Sequence, residues 1–333
     1  MIRKARRDLY QEVTDRILTL LDHGTVPWRN PIQRGGGDGW PKNLTSSKRY
    51  RGVNVFLLAM RAWEQGYASD YWLTFRQAKK RDGQIRKGEK SSLVVFWKQV
   101  NKRDEQTEEL ITIPVLRHYN VFNIDQCEGI EAPDTVTADP NAQPIEPLER
   151  AEQVISGYQD RPEIHHSGNR AVYRPGTDQV LLPPPERFES RETYYGTLFH
   201  ELSHSTGHTK RLNRGLDETM APFGSPDYGK EELVAEMSAA FLCATAGISP
   251  PTIEQSAAYI ESWRKVIKGD KRIVVSAAGA AQRSADWILG TAFETTAQPV
   301  ERSDQTTAVP KVRDVSPPSD VSSRSPLVQR ELF

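Results

Sequence analysis

Cysteine is scarce in this chain: Cys127 and Cys243 are the two among 333 residues. Thiols this few and this far apart exclude a disulfide framework and fit a reducing compartment, the cytoplasm. No apolar run of about 18 residues exists, so no membrane-spanning helix is expected. The N-terminus, MIRKARRDLYQEV, is basic but lacks the apolar stretch of a secretory signal. Net charge is missing too, with 44 Lys and Arg against 44 Asp and Glu. That balance hides a division. Residues 1–124 hold 23 Lys and Arg against 13 Asp and Glu, which leaves 21 against 31 for the remainder. A basic first half joined to an acidic second half points to a polyanion as partner of the first. An excess of cations is also common on a plain solvated face.

The length suits two domains better than one. EAPDTVTADPNAQPIEP, rich in Pro, Asp, Thr and Ala and without periodicity, reads as a linker. The expected organisation is a first domain over 1–128, a linker over 129–148, a second domain over 149–295 and a disordered tail over 296–333. The expected class is α+β: a small mixed α/β domain followed by an α+β domain.

The chemistry is concentrated in Thr197-Leu-Phe-His-Glu-Leu-Ser-His204, an H-E-x-x-H motif within a helical pattern. His200 and His204 lie one helical turn apart and face the same way, as two imidazoles sharing one metal must. Glu201 beside them is placed to take a proton from a metal-bound water. Gly207 can stop or bend the helix. A zinc site of this kind needs a third protein ligand. His208 comes too early in the chain to reach back, and Lys210 stands where a third histidine would be needed. The other source is the helical stretch KEELVAEMSAAFLCATA, whose apolar face runs through Leu233, Met237, Ala240, Phe241 and Ala244. In glutamate-type zincins a ligand Glu is followed four residues on by an acidic residue that holds a metal-bound His. Glu232 and Glu236 have that spacing, with Glu231 as the competitor for the ligand. Solvated helix carboxylates are the bland alternative for all three. Tyr228 is a candidate oxyanion donor, although a ring packed at a helix start is the commoner role. AVYRPGTDQVLL, just upstream, predicts two short strands around a turn, with Val180-Leu-Leu182 as the edge strand that would bind peptide by strand addition.

In the basic half, residues 5–22 predict an amphipathic helix, and a second follows Gly52 to about Gln65. Leu93–Trp97 and Ile111–Phe122 predict strands of one sheet. The glycine-rich Arg34-Gly-Gly-Gly-Asp-Gly39 is no phosphate-binding loop, since no Gly-Lys-Ser/Thr follows. Cations interleaved with aromatics suit single-stranded nucleic acid: charges track phosphates while rings stack on bases. The candidates are Lys48, Arg49, Tyr50, Arg51, Lys79, Lys80, Arg86, Lys87 and Lys90. Trp72, Phe75, Phe96 and Trp97 are expected in the core instead.

Together the halves resemble the ArdC-type antirestriction family, whose N-terminal domain also occurs in TraC-type plasmid primases. The resemblance is carried by Val26-Pro-Trp-Arg29, Trp40-Pro-Lys-Asn43, Tyr50-Arg-Gly-Val-Asn54, Tyr71–Gln77 and Arg86-Lys-Gly-Glu-Lys90. HELSHSTGHTKRLNR and EELVAEMSAAFLCATAGI carry it in the second half. It implies a single-stranded-DNA-binding domain fused to a zincin-like metallopeptidase domain, protecting incoming plasmid or phage DNA from host restriction. The motif spacing puts one divalent ion, Zn²⁺ or else Mn²⁺, on His200, His204 and Glu232, and host restriction or DNA-processing proteins are the expected substrates. A non-enzymatic DNA-coating protein and a primase accessory are the rival readings. The second lacks an obvious carboxylate cluster for Mg²⁺ and nucleotide.

Overall fold

Asp8 starts the first helix, α1 (Leu9–Asp22), by accepting the Gln11 N–H at 3.2 Å, and Val13, Ile17, Leu20 and Leu21 form its buried stripe. The computed structural model describes residues 7–29, 39–103, 110–133, 146–216, 225–249 and 257–291. The central glycine-rich stretch, most of the expected linker and the C-terminal tail lie outside the described residues.

Helix α2 (Val53–Gln65) begins at Gly52, whose φ of +58° suits glycine. Its N–H donates to Gln282 Oε1 at 3.1 Å, and a Cβ there would lie 3.7 Å from the Ala278 carbonyl oxygen. Strands β1 (Lys42–Asn43), β2 (Tyr71–Thr74), β4 (Ser92–Arg103) and β5 (Leu110–Asn123) form one sheet in the order β1-β2-β5-β4. Only the β1–β2 pairing is parallel, with Lys42 opposite Tyr71 and Asn43 opposite Trp72. The short helix α3 (Phe75–Lys79) leaves the end of β2, and β3 (Gln84–Ile85) pairs with β6 (Cys127–Glu128).

In the second half, α4 (Pro147–Gly157) precedes a three-stranded sheet of β7 (Glu163–His166), β8 (Val172–Arg174) and β9 (Gln179–Leu182). The order is β7-β9-β8, with β7 parallel to β9 and β8 antiparallel to it. Val180–Leu182 is therefore central, contrary to expectation. The hairpin supplies its neighbour on one side and β7 arrives on the other, so among the described residues β8 and β7 are the edge strands of this sheet. Four helices complete the half: α5 (Arg191–Ser205), α6 (Pro226–Ala246), α7 (Ala257–Gly269) and α8 (Ile273–Ile288). Helix α6 starts earlier than its apolar pattern implied, because Ser225 caps it and Pro226 is pre-set for a first turn.

The two halves share a hydrophobic core. Phe56 of α2 stacks on Phe241 of α6 at 5.0 Å between centroids, Trp40 lies 5.8 Å from the same ring, and Trp28 meets Trp263 edge-on at 5.7 Å. Residues 1–294 accordingly form one compact unit. The aromatic expectation holds for Trp72, which is fully buried, but Phe75 is 60% and Trp97 49% exposed. Phe75 is the first residue of α3 and so leaves the line of β2, where Trp72 and Leu73 are both fully buried. Phe96 is half-buried and stacks on Tyr119. Both cysteines are free. Among the described residues, no helix is long and apolar enough to cross a membrane.

Candidate metal centre

Helix α5 presents the H-E-x-x-H residues and α6 crosses it to bring in carboxylates. His200 Nε2 lies 3.1 Å from His204 Nε2, and Glu232 oxygens lie 3.4 and 3.6 Å from the two ring nitrogens. These three residues are the one group among the described residues whose donor atoms converge as a metal site requires, all within 4.8 Å of one another. Bonds of about 2.0–2.2 Å at tetrahedral angles place neighbouring ligand atoms roughly 3.4 Å apart. The donor set, two imidazole nitrogens and a carboxylate oxygen, thus fits a divalent ion in both spacing and chemistry. His208 lies outside the cluster, its Nδ1 accepting the Lys210 N–H.

Carboxylates surround the three ligands, and each has its own partner. The carboxylate beside the outer face of His204 is Glu231, with Oε1 at 3.3 Å from Nδ1. Arg214 grips Glu231 through Nε at 2.9 Å and Nη2 at 2.7 Å, and also donates to Thr206 Oγ1 and the Ser203 carbonyl. Glu236 makes its close contacts elsewhere, in a two-pronged pair with Arg29 at 2.7 and 3.2 Å, while Arg29 lies 4.2 Å over the Tyr259 ring. The reason is angular. Glu231 is about 100° round α6 from Glu232, on the side facing His204 Nδ1, whereas Glu236 meets a guanidinium from far along the chain. Two arginines, Arg29 and Arg214, escaped the sequence reading. Each lay in a stretch already noted, Arg29 in Val26-Pro-Trp-Arg29 and Arg214 in the RLNR run after the histidines.

Glu201 is held by the edge strand β8. Its Oε2 accepts the Tyr173 N–H at 2.6 Å. The hairpin carrying Tyr173 is clamped to the end of α5, where Arg211 forms two bonds of 2.8 and 2.9 Å to Asp178 and Tyr173 Oη donates to the same carboxylate. Gly207 earns its place by close approach, since a Cβ would meet Leu216 at 2.5 Å and Arg214 Nη2 at 3.1 Å.

Burial acts to lower the His200 pKa, but the hydrogen bond to Glu232 and the charges of Glu201, Glu236 and Glu232 outweigh it and push it up to about 9. Burial likewise opposes ionisation of Glu232, yet both histidines and the Tyr228 hydroxyl bring it down to about 2. The Tyr228 phenol is pushed up to about 12 by burial and by the neighbouring Glu232 charge. Glu231 is lowered, with Arg214 and His204 overcoming burial.

The predicted nucleic-acid residues do not share one environment. Lys48, Lys79, Lys80, Lys87 and Lys90 are exposed. Arg49 is exposed with its guanidinium 5.4 Å from the Trp40 ring, and exposed Arg86 bonds Glu89 and the Asp125 carbonyl. Tyr50 packs against the Leu58–Trp72 cluster, and its phenol is pushed up to about 12 by burial. Arg51 pairs with Asp286 of α8.

Residues 149–280 match a zincin-like metallopeptidase and residues 7–122 match the N-terminal domain of anti-restriction factor ArdC. The molecule is thus a zincin-like domain behind an antirestriction N-terminal domain. The chain is 36% identical over 289 residues to protein y4eC of Sinorhizobium fredii, covering 84% of this chain and 91% of that one. It is 34% identical over 318 residues to the DNA primase TraC of Escherichia coli, which covers 87% of this chain but 28% of the primase. Crystal structures of the antirestriction ArdC protein of plasmid R388, metal-free and Mn(II)-bound, align with TM-scores of 0.67 at 40% and 38% identity. They cover 86% and 87% of this chain and 98% and 100% of theirs. The chain belongs to the ArdC antirestriction family.

Proposed function

We propose that this protein binds single-stranded DNA through its first half and cleaves protein with a metal-dependent peptidase in its second, shielding incoming DNA from host restriction. The spacing of the His200, His204 and Glu232 donors beside Glu201 carries the reading. A divalent ion held there, Zn²⁺ or Mn²⁺, supplies Lewis acidity toward a water and a peptide carbonyl. Glu201, anchored through Oε2, takes the proton of the attacking water and passes it to the leaving amine. Tyr228 keeps its phenolic proton through neutral pH and, hydrogen-bonded to Glu232, steadies that ligand. Substrate lies along the edge of β8 as an added strand. Host restriction or DNA-processing proteins gathered on the DNA are the substrate class, and the cytoplasm is where they meet it.

The test measures bound metal and cleavage of the protein itself and of restriction subunits, for wild type and Glu201→Ala, with and without single-stranded DNA. Stoichiometric metal with DNA-stimulated cleavage lost in the variant is the expected result. Metal and DNA binding without cleavage would leave a non-enzymatic protector. A wild type that takes up no metal would undo the site.

A further inference from the structure

The DNA-binding reading rests on charge, and charge alone does not select a single strand. A lone exposed aromatic ring is ordinary on a protein surface. Phe75 is set apart by its surroundings. Segments 39–51 and 71–81 contain eight Lys and Arg and no Asp or Glu. Parallel pairing of β1 with β2 lays these segments side by side, and Arg81 Nη2 donates to the Leu44 carbonyl between them. Phe75 and Lys79 stand one turn apart on α3, both exposed.

The ring's mount is fixed. Thr74 and Gln77 cap α3 reciprocally, the Gln77 N–H donating to Thr74 Oγ1 at 3.2 Å and the Thr74 N–H to Gln77 Oε1 at 2.8 Å. Asn43 Nδ2 donates to the same Gln77 oxygen, while Asn43 Oδ1 accepts the Thr45 and Ser46 N–H groups at 3.1 Å each. One hydrogen-bond network therefore joins the helix bearing Phe75 to the loop bearing Lys48 and Arg49. The other exposed rings among the described residues are placed differently: Trp97 lies against Tyr10, Trp63 adjoins Glu64, which pairs with Arg16, and Trp287 on α8 adjoins Asp286, which pairs with Arg51.

We infer that Phe75 is a stacking platform for an unpaired base of single-stranded DNA, with Arg76, Lys79, Lys48 and Arg49 holding the flanking phosphates. This rests on the DNA-binding half of the proposed function and adds what separates single strand from duplex. A duplex hides its base faces in the stack and offers the ring nothing, whereas a single strand offers one at every nucleotide. Cations serve both.

The experiment is fluorescence anisotropy of labelled oligothymidylate and of a duplex of equal length, over a salt series. The proteins are the wild-type chain, Phe75→Ala, Phe75→Leu, Phe75→Trp and Lys79→Gln, each checked for an unchanged melting temperature. Phe75→Ala and Phe75→Leu are expected to weaken oligothymidylate binding about ten-fold or more at fixed salt, without changing the salt slope or duplex binding. Phe75→Trp should restore affinity, and Lys79→Gln should lower the single-strand slope by about 0.7. Wild-type affinity in Phe75→Ala, or equal losses on single strand and duplex, would overturn the platform while leaving DNA binding intact. No binding of oligothymidylate by the wild type would overturn the DNA-binding reading itself.

Discussion

The basic face of the first half and the metal centre of the second handle charge in opposite ways. On the face, Lys48, Lys79, Lys80, Lys87 and Lys90 are exposed. In the centre, the carboxylates are paired: Glu201 with the Tyr173 N–H, Glu231 with Arg214, Glu232 with His200, and Glu236 with Arg29. Exposed charges act one by one and are weakened by salt, whereas buried ones hold only as a set. Damage from a single substitution should therefore grow with burial.

Arg214→Met tests the buried extreme. It leaves Glu231 charged beside His204 without its guanidinium, an expected loss of about 3–5 kcal/mol. Urea unfolding reads the loss, and metal affinity should fall roughly 10–100-fold because Glu231, the carboxylate that orients His204, loses the guanidinium that holds it in place. Intact stability would show that Glu231 does not depend on the arginine. Next is Arg29→Gln, at about 2–4 kcal/mol for a pair that keeps some contact with water. Since the halves share a core, tryptophan fluorescence and metal release should follow one transition. Two separate transitions would show that the halves fold independently.

The third effect is a pH dependence. The His200 pKa is about 9 against an ordinary 6.5, so the stability it contributes is complete below 6.5 and is lost as pH rises through 9. Melting temperature in a chelator should fall across that window. Added metal, which must displace the proton, should bind more tightly as pH rises and release protons to buffer, measurable by calorimetry in buffers of different ionisation enthalpy. The smallest effect belongs to Lys87→Ala on the exposed side. Its melting temperature should match wild type, and its single-strand salt slope should drop by about 0.7 if the lysine meets one phosphate. A large stability change there would break the contrast.

What the sequence made legible follows the range of the interactions. His200, Glu201 and His204 are set by spacing within one helix, and Glu232 by a helix whose apolar face was readable. That Glu231 faces His204 while Glu236 pairs with Arg29 was not readable, because the second pairing joins residues 207 apart in the chain. The edge strand was misassigned because hairpin periodicity is blind to which side β7 joins. Phe75 was expected inside because a strand-like run of aromatics does not announce that Thr74 caps a helix. The α+β class was legible throughout, being written in local periodicity, while the shared core depends on contacts between distant rings.

That shared core has a consequence for synthesis. Trp40 and Phe56 find their partner only when Phe241 has been made, and Gly52 only when Ala278 and Gln282 have followed. At about 5–20 residues per second, the first half waits roughly 10–45 seconds on the ribosome with those rings uncovered. A nascent chain interrupted in that interval carries its exposed cations and an unfinished apolar surface together, and chaperone access would decide its fate.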